Sequence, residues 1–176
     1  MNDPQILIVD LGSQYTEIIR RSLRYLGFHS IIVPPSEVLK WAKENNPKAI
    51  ILSGGTINIS DANAPEIPNE IINFEVPILG ICLGMQWLAY MHDKDSIQAV
   101  QEGKSYGPVE VTLRHPMSKL FDGLPEKINA WSSHGDSVKN IPAGFNLTAT
   151  SKDGSVLEAM ENVEKKLYAV QFHPEV

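Results

Sequence analysis

The sequence predicts an α/β domain built on an open, mostly parallel, twisted sheet. Short runs rich in β-branched residues recur through the first half and alternate with stretches of helical spacing, the pattern of successive βαβ units. From about Tyr106 onward the chain changes to strand-like pieces separated by turns with Pro and Gly. These pieces predict antiparallel additions to the sheet. Nothing in the composition marks a linker, and we expect one domain over residues 1–176.

The predicted strands are short and bounded by turn residues. In the first half they are Ile6–Val9, Ser30–Val33, Ala49–Leu52 and Ile78–Ile81, and in the second half they are 109–113, 147–150, 156–159 and Leu167–Val170.

Four helices are predicted between these strands. The first ends at Gly27, which suits a helix C-cap, and steps of three and four give it one largely apolar face, made of Tyr15, Ile18, Ile19, Ser22, Leu23 and Leu26. Ser36 is expected to cap a second helix through VLKWAKEN, and residues 65–74 are expected to form a third. The fourth follows Ile78–Ile81, with Met85, Leu88 and Ala89 on its buried side.

The composition favours a globular protein with small-molecule or protein partners. The 176 residues are 43% apolar and carry a net charge of −6, and no run of five like charges suggests a nucleic-acid surface. The first residues are polar, lack a basic region and lead directly into a short strand. We therefore expect neither a signal peptide nor a membrane span, and a cytoplasmic location.

Metal sites and disulfides are not expected either. One cysteine among 176 residues forms no internal disulfide and no multi-cysteine zinc site. The five histidines show no metal-site spacing with a cysteine or a carboxylate cluster. We expect His29, His92 and His115, which lie beside predicted strand or helix ends, to be surface or capping residues.

The single cysteine lies in the stretch GICLG, residues 80–84. A strand that passes through G-x-C-x-G into a helix fits a tight turn that lifts the Cys82 side chain above the sheet edge. The start of the helix, or a neighbouring histidine, is expected to lower the pKa of the thiol. The alternative is a small buried side chain between two packing glycines.

The end of the chain, AVQFHPEV, favours the catalytic interpretation. Residues two apart on a strand point to the same side, so His173 and Glu175 can project together from the end of a strand. A nucleophile, a histidine and a carboxylate that orients the imidazole form a catalytic triad in its cysteine form.

A third strand end, ILSGG, adds paired glycines whose backbone N–H groups are unobstructed. If Gly55 lies beside the cysteine turn, its N–H and that of Leu83 can bind an oxyanion together. An ordinary strand-to-loop turn is the alternative.

Together these motifs resemble the class-I, or triad-type, glutamine amidotransferase family. The resemblance is carried by ICLGMQ, SGG and FHPEV, and extends over nearly the whole chain. DLGSQYT and SSHGDSV are similar to the glutaminase portions of GMP synthetases. The resemblance implies a three-layer, flavodoxin-like fold.

The resemblance also implies a chemistry. In the family the cysteine attacks the side-chain amide of glutamine, the histidine passes a proton to the departing ammonia, and water cleaves the thioester to release glutamate. Cys82, His173 and Glu175 match these roles. Gln86 and the segment Ser133, His134, Gly135 and Asp136 match positions that contact the substrate.

In GMP synthetases the ammonia reaches an ATP-pyrophosphatase that amidates XMP, so the resemblance implies such a subunit or domain as partner. ATP and magnesium are expected only in that partner, and no cofactor is expected in this chain. Because family members usually continue past FHPEV into a final helix, we expect the domain to extend beyond Val176.

Two departures and two alternatives accompany this interpretation. Many relatives have Pro after SGG, where this chain has Thr56, so the turn is expected to be more mobile. GMP synthetases often have Tyr where this chain has Leu83. The alternatives are the glutaminase of another synthetase, of anthranilate or aminodeoxychorismate type, and a non-catalytic flavodoxin-like module.

Overall fold

The computed structural model describes residues 5–99, 105–114 and 118–176. Its main feature is a nine-stranded sheet with the order β2-β1-β3-β4-β11-β10-β9-β6-β7. A separate antiparallel pair, β5 and β8, lies outside it. The strands are β1 Ile6–Val9, β2 Ser30–Val33, β3 Ala49–Leu52, β4 Ile78–Ile81, β5 Ile97–Ala99, β6 Ser105–Leu113, β7 Lys127–His134, β8 Asp136–Val138, β9 Asn146–Ser151, β10 Leu157–Asn162 and β11 Leu167–Val170.

The sheet has a parallel half and an antiparallel half, as predicted. Strands β2, β1, β3, β4 and β11 pair in parallel, and β10, β9, β6 and β7 continue the sheet with antiparallel pairs. Strand β11 joins the halves because it is parallel to β4 and antiparallel to β10. The carboxyl ends of β4 and β11 therefore lie side by side, which places the ICLG turn next to FHPEV.

Helices cover both faces of the sheet and complete three layers. In the described residues the α-helices are α1 Thr16–Tyr25, α2 Val38–Asn45 and α3 Leu83–His92. Helices α2 and α3 share one apolar core with alternate residues of the strands, among them Leu7, Leu52 and Met160. Ile19 of α1 belongs to a second core on the opposite face. None of the described helices is long and apolar enough to cross a membrane.

The first and fourth predicted helices are confirmed. Gly27 follows α1 with a φ of +86°, and the N–H of Phe28 donates to the carbonyl of Leu23, closing the helix end. Met85, Leu88 and Ala89 of α3 are fully buried. Leu26, expected on the apolar face of the first helix, is instead 66% exposed, because the helix ends before it.

Two helix predictions were wrong in detail. Ser36 does not cap α2: it lies inside a 3-10 turn, Pro35–Glu37, and Glu37 holds the N-cap position. Proline at the first position of that turn favours an earlier start. Residues 65–74 form only a 3-10 helix, Asn69–Phe74. Pro65 and Pro68 lack backbone donors and push the residues before them out of the α region.

Candidate functional site

The cysteine turn joins β4 to α3 in a strained conformation. Cys82 has φ 52° and ψ −104°, a backbone conformation that residues other than glycine rarely adopt. Hydrogen bonds hold the turn on both sides: the Cys82 N–H donates to the Val170 carbonyl at 2.8 Å, and the Gln86 N–H donates to the Cys82 carbonyl at 3.1 Å. The sulfur is thereby fixed at the start of α3, beside the end of β11.

The two glycines of GICLG provide clearance, as predicted. A Cβ on Gly80 would lie 2.5 Å from the backbone of Gly84, and a Cβ on Gly84 would lie 2.5 Å from the Leu52 carbonyl oxygen. Real Cβ atoms do not approach backbone so closely. Helix α3 can therefore start directly above the sheet only with glycine at both positions.

The expectation of a lowered thiol pKa was wrong. Burial raises the pKa of Cys82 to about 12, and although a hydrogen bond from the Leu83 backbone lowers it, burial dominates. The side chain is 2% exposed, so the thiolate would lose most of its hydration. The resting sulfur is thus a thiol, which donates weakly to the Ser133 carbonyl at 3.7 Å and accepts from Gln171 Nε2 at 3.6 Å.

His173 and Glu175 project together, as the two-residue spacing predicted. His173 Nδ1 lies 2.8 Å from Glu175 Oε1, and both side chains are 3% exposed. An isolated bridge to β7 fixes the histidine backbone, since the His173 N–H donates to the Trp131 carbonyl at 2.8 Å. Tyr15 packs edge-on against the imidazole, with ring centroids 5.0 Å apart. With Nδ1 as donor to the carboxylate, Nε2 is left as a proton acceptor.

The cysteine and the histidine meet at Gly54. An ideal Cβ placed on Gly54 would lie 2.8 Å from His173 Cε1, 3.5 Å from Ser13 Oγ and 3.6 Å from Cys82 Cβ. Only a residue without a side chain leaves this space open. The structure thus places the sequence-distant cysteine and imidazole on the same glycine at the sheet edge.

The predicted oxyanion residues, Gly55 and Leu83, are also neighbours. A Cβ on Gly55 would overlap the Leu83 side chain and lie 2.6 Å from the Leu11 carbonyl oxygen. The Ser53 hydroxyl holds the preceding turn in place, because it accepts from the Leu11 N–H at 2.9 Å and donates to the Gly54 carbonyl at 2.9 Å.

The residues predicted to contact substrate surround one cavity beside the sulfur. Its lining includes Cys82, Leu83, Gln86, Tyr106, residues 55–57 and residues 133–136. Gln86 Nε2 is already engaged, since it donates to the Asp136 carbonyl at 2.8 Å and to Gln171 Oε1 at 3.5 Å. In this structure Gln86 thus supports the wall of the cavity from within.

His134 is buried in the same wall. Its Nδ1 lies 3.0 Å from the Asp136 carbonyl oxygen, so Nδ1 carries the proton. Burial first, and then the nearby His173, lower the pKa of His134, against the opposing hydrogen bond to Asp136. Burial, followed by the charge of Asp61, raises the pKa of Asp136. Both shifts disfavour charge in this part of the cavity.

Two residues of the site, Gln171 and Gly54, were not predicted from the sequence. Gln171 contacts Cys82 and Gln86, and counting back two residues from His173 along the strand would have indicated it. Gly54 was seen only as part of SGG, because its contact with His173 depends on the tertiary fold.

Of the three remaining histidines, the two that the structure describes agree with the expectation of surface or capping residues. His29 is exposed. His92 lies in the last turn of α3 with Nδ1 2.8 Å from the Leu88 carbonyl oxygen, as expected for a residue at a helix end. His115 lies outside the described residues. Across residues 5–99, 105–114 and 118–176, no three metal-ligating side chains cluster.

Known proteins match this chain over nearly its whole length. The pattern of the class-I glutamine amidotransferase family fits residues 7–176. The chain is 42% identical over 172 residues to a glutamine-hydrolysing GMP synthase of Lactobacillus acidophilus, covering 98% of this chain and 33% of that protein. It is 41% identical over 176 residues to the Clostridium botulinum enzyme of the same name, covering 100% and 34%. The chain thus spans about a third of the length of these relatives.

Solved structures share the fold. A Thermoplasma acidophilum protein provisionally named as part of a GMP synthase superposes with a TM-score of 0.83 at 31% identity, covering 100% of this chain and 86% of that one. A glutamine amidotransferase of Thermotoga maritima superposes with a TM-score of 0.75 at 21% identity, covering 100% and 78%. The second likeness supports the fold alone.

Proposed function

Since the chain belongs to the class-I glutamine amidotransferase family, we propose that it hydrolyses glutamine to glutamate and ammonia. Cys82 is the nucleophile, His173 is the general base and acid, and Glu175 orients the imidazole. The observation that carries the proposal is the meeting of the Cys82 and His173 side chains at Gly54, with His173 Nδ1 2.8 Å from Glu175.

The reaction proceeds in two stages. The thiol proton passes to His173 Nε2 as the sulfur attacks the amide carbon, and the amide C–N bond breaks when the imidazolium returns that proton to the leaving ammonia. Water, deprotonated by the same imidazole, then attacks the thioester, the C–S bond breaks, and the imidazolium returns the proton to the Cys82 sulfur as glutamate is released. Because burial raises the pKa of the resting thiol to about 12, proton transfer to the histidine must accompany the attack.

The neighbouring backbone is suited to charge that develops on the amide oxygen. We assign the oxyanion contacts to the N–H groups of Gly55 and Leu83, since both residues line the cavity at the sulfur. Gln86, Ser133, His134, Gly135 and Asp136 are assigned to the substrate cavity, supported by their place in its lining.

The ammonia is proposed to serve the amidation of XMP to GMP by an ATP-pyrophosphatase subunit or domain. The names of relatives about 40% identical over the whole chain support this acceptor over another synthetase. ATP and magnesium are used only by that partner in this proposal.

Glutamate release from glutamine tests the hydrolytic step. Cys82→Ala and His173→Gln are each expected to reduce release by about 10³-fold or more, since both residues act as one unit. His29→Gln is the matched control, because His29 is exposed, and it should retain the wild-type rate. Release that is undiminished in Cys82→Ala would rule out the thioester route through this cysteine, whereas no release from the wild type would favour the non-catalytic alternative.

The acceptor is tested by mixing. The chain is combined with an XMP-amidating ATP-pyrophosphatase or with the synthase component of anthranilate synthesis, and glutamine-dependent product is measured. We expect glutamine-dependent GMP from the first mixture and no glutamine-dependent product from the second. The reverse result would show that the chain serves anthranilate synthesis instead.

A further inference from the structure

Glu158 is a buried carboxyl group beside the site to which the proposed mechanism gives no role. It lies in β10, is 1% exposed, and its Oε2 has no hydrogen-bond partner among the described residues. A buried, unpaired carboxylate is unfavourable, so a carboxyl in such a place is expected to act through its protonation state.

The strand pairing directs Glu158 toward the cysteine. The Gln171 N–H donates to the Glu158 carbonyl at 2.8 Å, so these residues oppose one another across the antiparallel pair of β10 and β11. Side chains that oppose one another share a face of the sheet. The Gln171 side chain on that face reaches the Cys82 sulfur, and the Glu158 carboxyl is therefore on the same side of the sheet as the sulfur.

The electrostatics link the two groups. Burial alone raises the pKa of Glu158 to about 7, so its charge changes near neutrality. Burial is the largest cause of the raised pKa of Cys82, the charge of Glu175 contributes less, and the charge of Glu158 makes a smaller contribution in the same direction. Glu175 is hydrogen-bonded to His173, whereas Glu158 Oε2 has no such neighbour in the described chain.

Four titratable groups of the described residues lie in the site that contains Cys82 and Gln171. On the sheet side they are His173 and Glu175 beyond β11, and on the cavity side they are His134 and Asp136 beside Gln86. The residue opposite Glu158, Gln171, is neutral, as is the Gln86 that it contacts.

We propose that Glu158 is a positioning residue of the glutaminase site, which adds to the opposition to ionisation of the Cys82 thiol when its own carboxyl is charged and ceases to do so when it is protonated. This inference rests on the proposed function for its role in turnover. The electrostatic link itself does not rest on the proposed function, because it concerns only the ionisation of the Glu158 carboxyl and of the Cys82 thiol. In its charged form Glu158 adds to the effect of burial, which by itself already favours the thiol form of the resting cysteine.

Alkylation of Cys82 by iodoacetamide tests the link directly. Cys82 is the one cysteine in the sequence and the reagent is uncharged, so the second-order rate constant reports the thiolate alone. The rate is measured from pH 6 to 9 for the wild type, for Glu158→Gln and for Glu164→Gln. The last is a matched control that removes one charge from an exposed position.

The expected readout is a ratio of rates that depends on pH. At pH 8 Glu158→Gln should react about 3 to 10 times faster than the wild type, as a fall of half to one unit in the thiol pKa produces. At pH 6 the ratio should approach one, since Glu158 is then protonated in the wild type. A variant that only loosens the fold would react faster at every pH. Glu164→Gln should match the wild type throughout.

The contrary results are distinct. A ratio that is constant from pH 6 to 9, or failure of all forms to react at pH 9, overturns the inference. If circular dichroism shows that Glu158→Gln does not fold, Glu158→Ala is used instead. The cavity left by alanine can raise its alkylation rate by a factor that is the same at every pH, so the ratio of its rate to that of the wild type must also rise with pH. A wild type that shows the pH-dependent link but hydrolyses no glutamine would refute the proposed function and leave the link standing.

Discussion

Cys82 and His173 reach the same point in this fold because residue 54 has no Cβ. The two side chains are also held from other sides. The strained backbone of Cys82 fixes the start of its side chain, and contacts with Glu175 and Tyr15 hold the imidazole of His173. The geometry of the proposed catalytic pair therefore requires glycine at position 54.

Gly54→Ala should abolish most glutaminase activity while the protein stays folded. The new Cβ would lie 2.8 Å from His173 Cε1, and the side chain can turn aside only by leaving its place beside Cys82. Gly54 is not among the residues with positive φ, so alanine brings little backbone strain. We expect a fall in kcat of about 10²-fold or more and an unfolding free energy lowered by about 1 to 2 kcal/mol.

Gly154→Ala is the control for this change. Gly154 lies in a distant turn with φ +75° and nothing within 4 Å of an added Cβ. It should lose about 1 kcal/mol of stability through strain and keep its activity. Equal glutamate release by the two alanine variants would show that the space at Gly54 is not needed for hydrolysis.

At the scale of elements, the site depends on how closely α3 lies on the sheet. Gly84 in its first turn approaches the backbone of Leu52 in β3, and Gly80 in β4 approaches Gly84. These contacts involve backbone atoms, which cannot swing away as a side chain can. The start of α3, and with it the Leu83 N–H, is therefore set by direct packing of backbone on backbone.

Gly84→Ala should destabilise the protein more than a glycine change that only strains the chain. Its Cβ would lie 2.5 Å from the Leu52 carbonyl oxygen and 2.7 Å from the Leu52 Cβ, so α3 must move outward. We expect a loss of about 2 to 4 kcal/mol in chemical denaturation. Gly27→Ala, at φ +86° in open space, should lose only about 1 kcal/mol. The idea fails if the two losses are equal.

The parallel half of the sheet could be predicted from the sequence because its strands are buried on both faces. Runs such as Ile6–Val9 and Ile78–Ile81 therefore consist of apolar residues, and both have the predicted bounds. Strand β7, with the sequence KINAWSSH, was not predicted, because it lies at the sheet edge with exposed residues at alternate positions. Its polar residues do not distinguish it from a loop.

The triad pattern could be predicted because glycine spacing and strand alternation are local properties. The protonation of Cys82 could not, because burial outweighs the backbone N–H of Leu83, and burial is a property of the assembled fold. For the same reason the sequence did not reveal that Gln86 donates to Asp136, which lies 50 residues further along the chain.

At the scale of the whole molecule, the antiparallel half buries two carboxyl groups of β10 in different ways. Glu161 is fully buried but accepts hydrogen bonds from the Ser118 hydroxyl at 2.9 Å and the Lys119 N–H at 3.1 Å. Glu158 is equally buried with one oxygen unpartnered in the described chain. The burial of Glu158 without a partner for this oxygen favours a bound proton.

Glu158 should therefore make the stability of the whole fold depend on pH. Burial raises its folded-state pKa to about 7 from an ordinary value of 4.5, so between these values the folded state binds a proton that the unfolded state has released. Stability falls as pH rises through this window and levels off above about 7. The loss is on the order of 3 kcal/mol.

The difference between Glu158→Gln and the wild type isolates this effect. Glutamine stays neutral, so the unfolding free energy of the variant relative to that of the wild type should rise by about 2 to 4 kcal/mol between pH 5 and pH 8. Urea denaturation at each pH measures it. Contributions from Asp136 and His134, whose pKa values are shifted by burial in both proteins, cancel in the difference. A difference that does not change with pH would mean that Glu158 is hydrated or paired, and the basis for its influence on Cys82 would be lost with it.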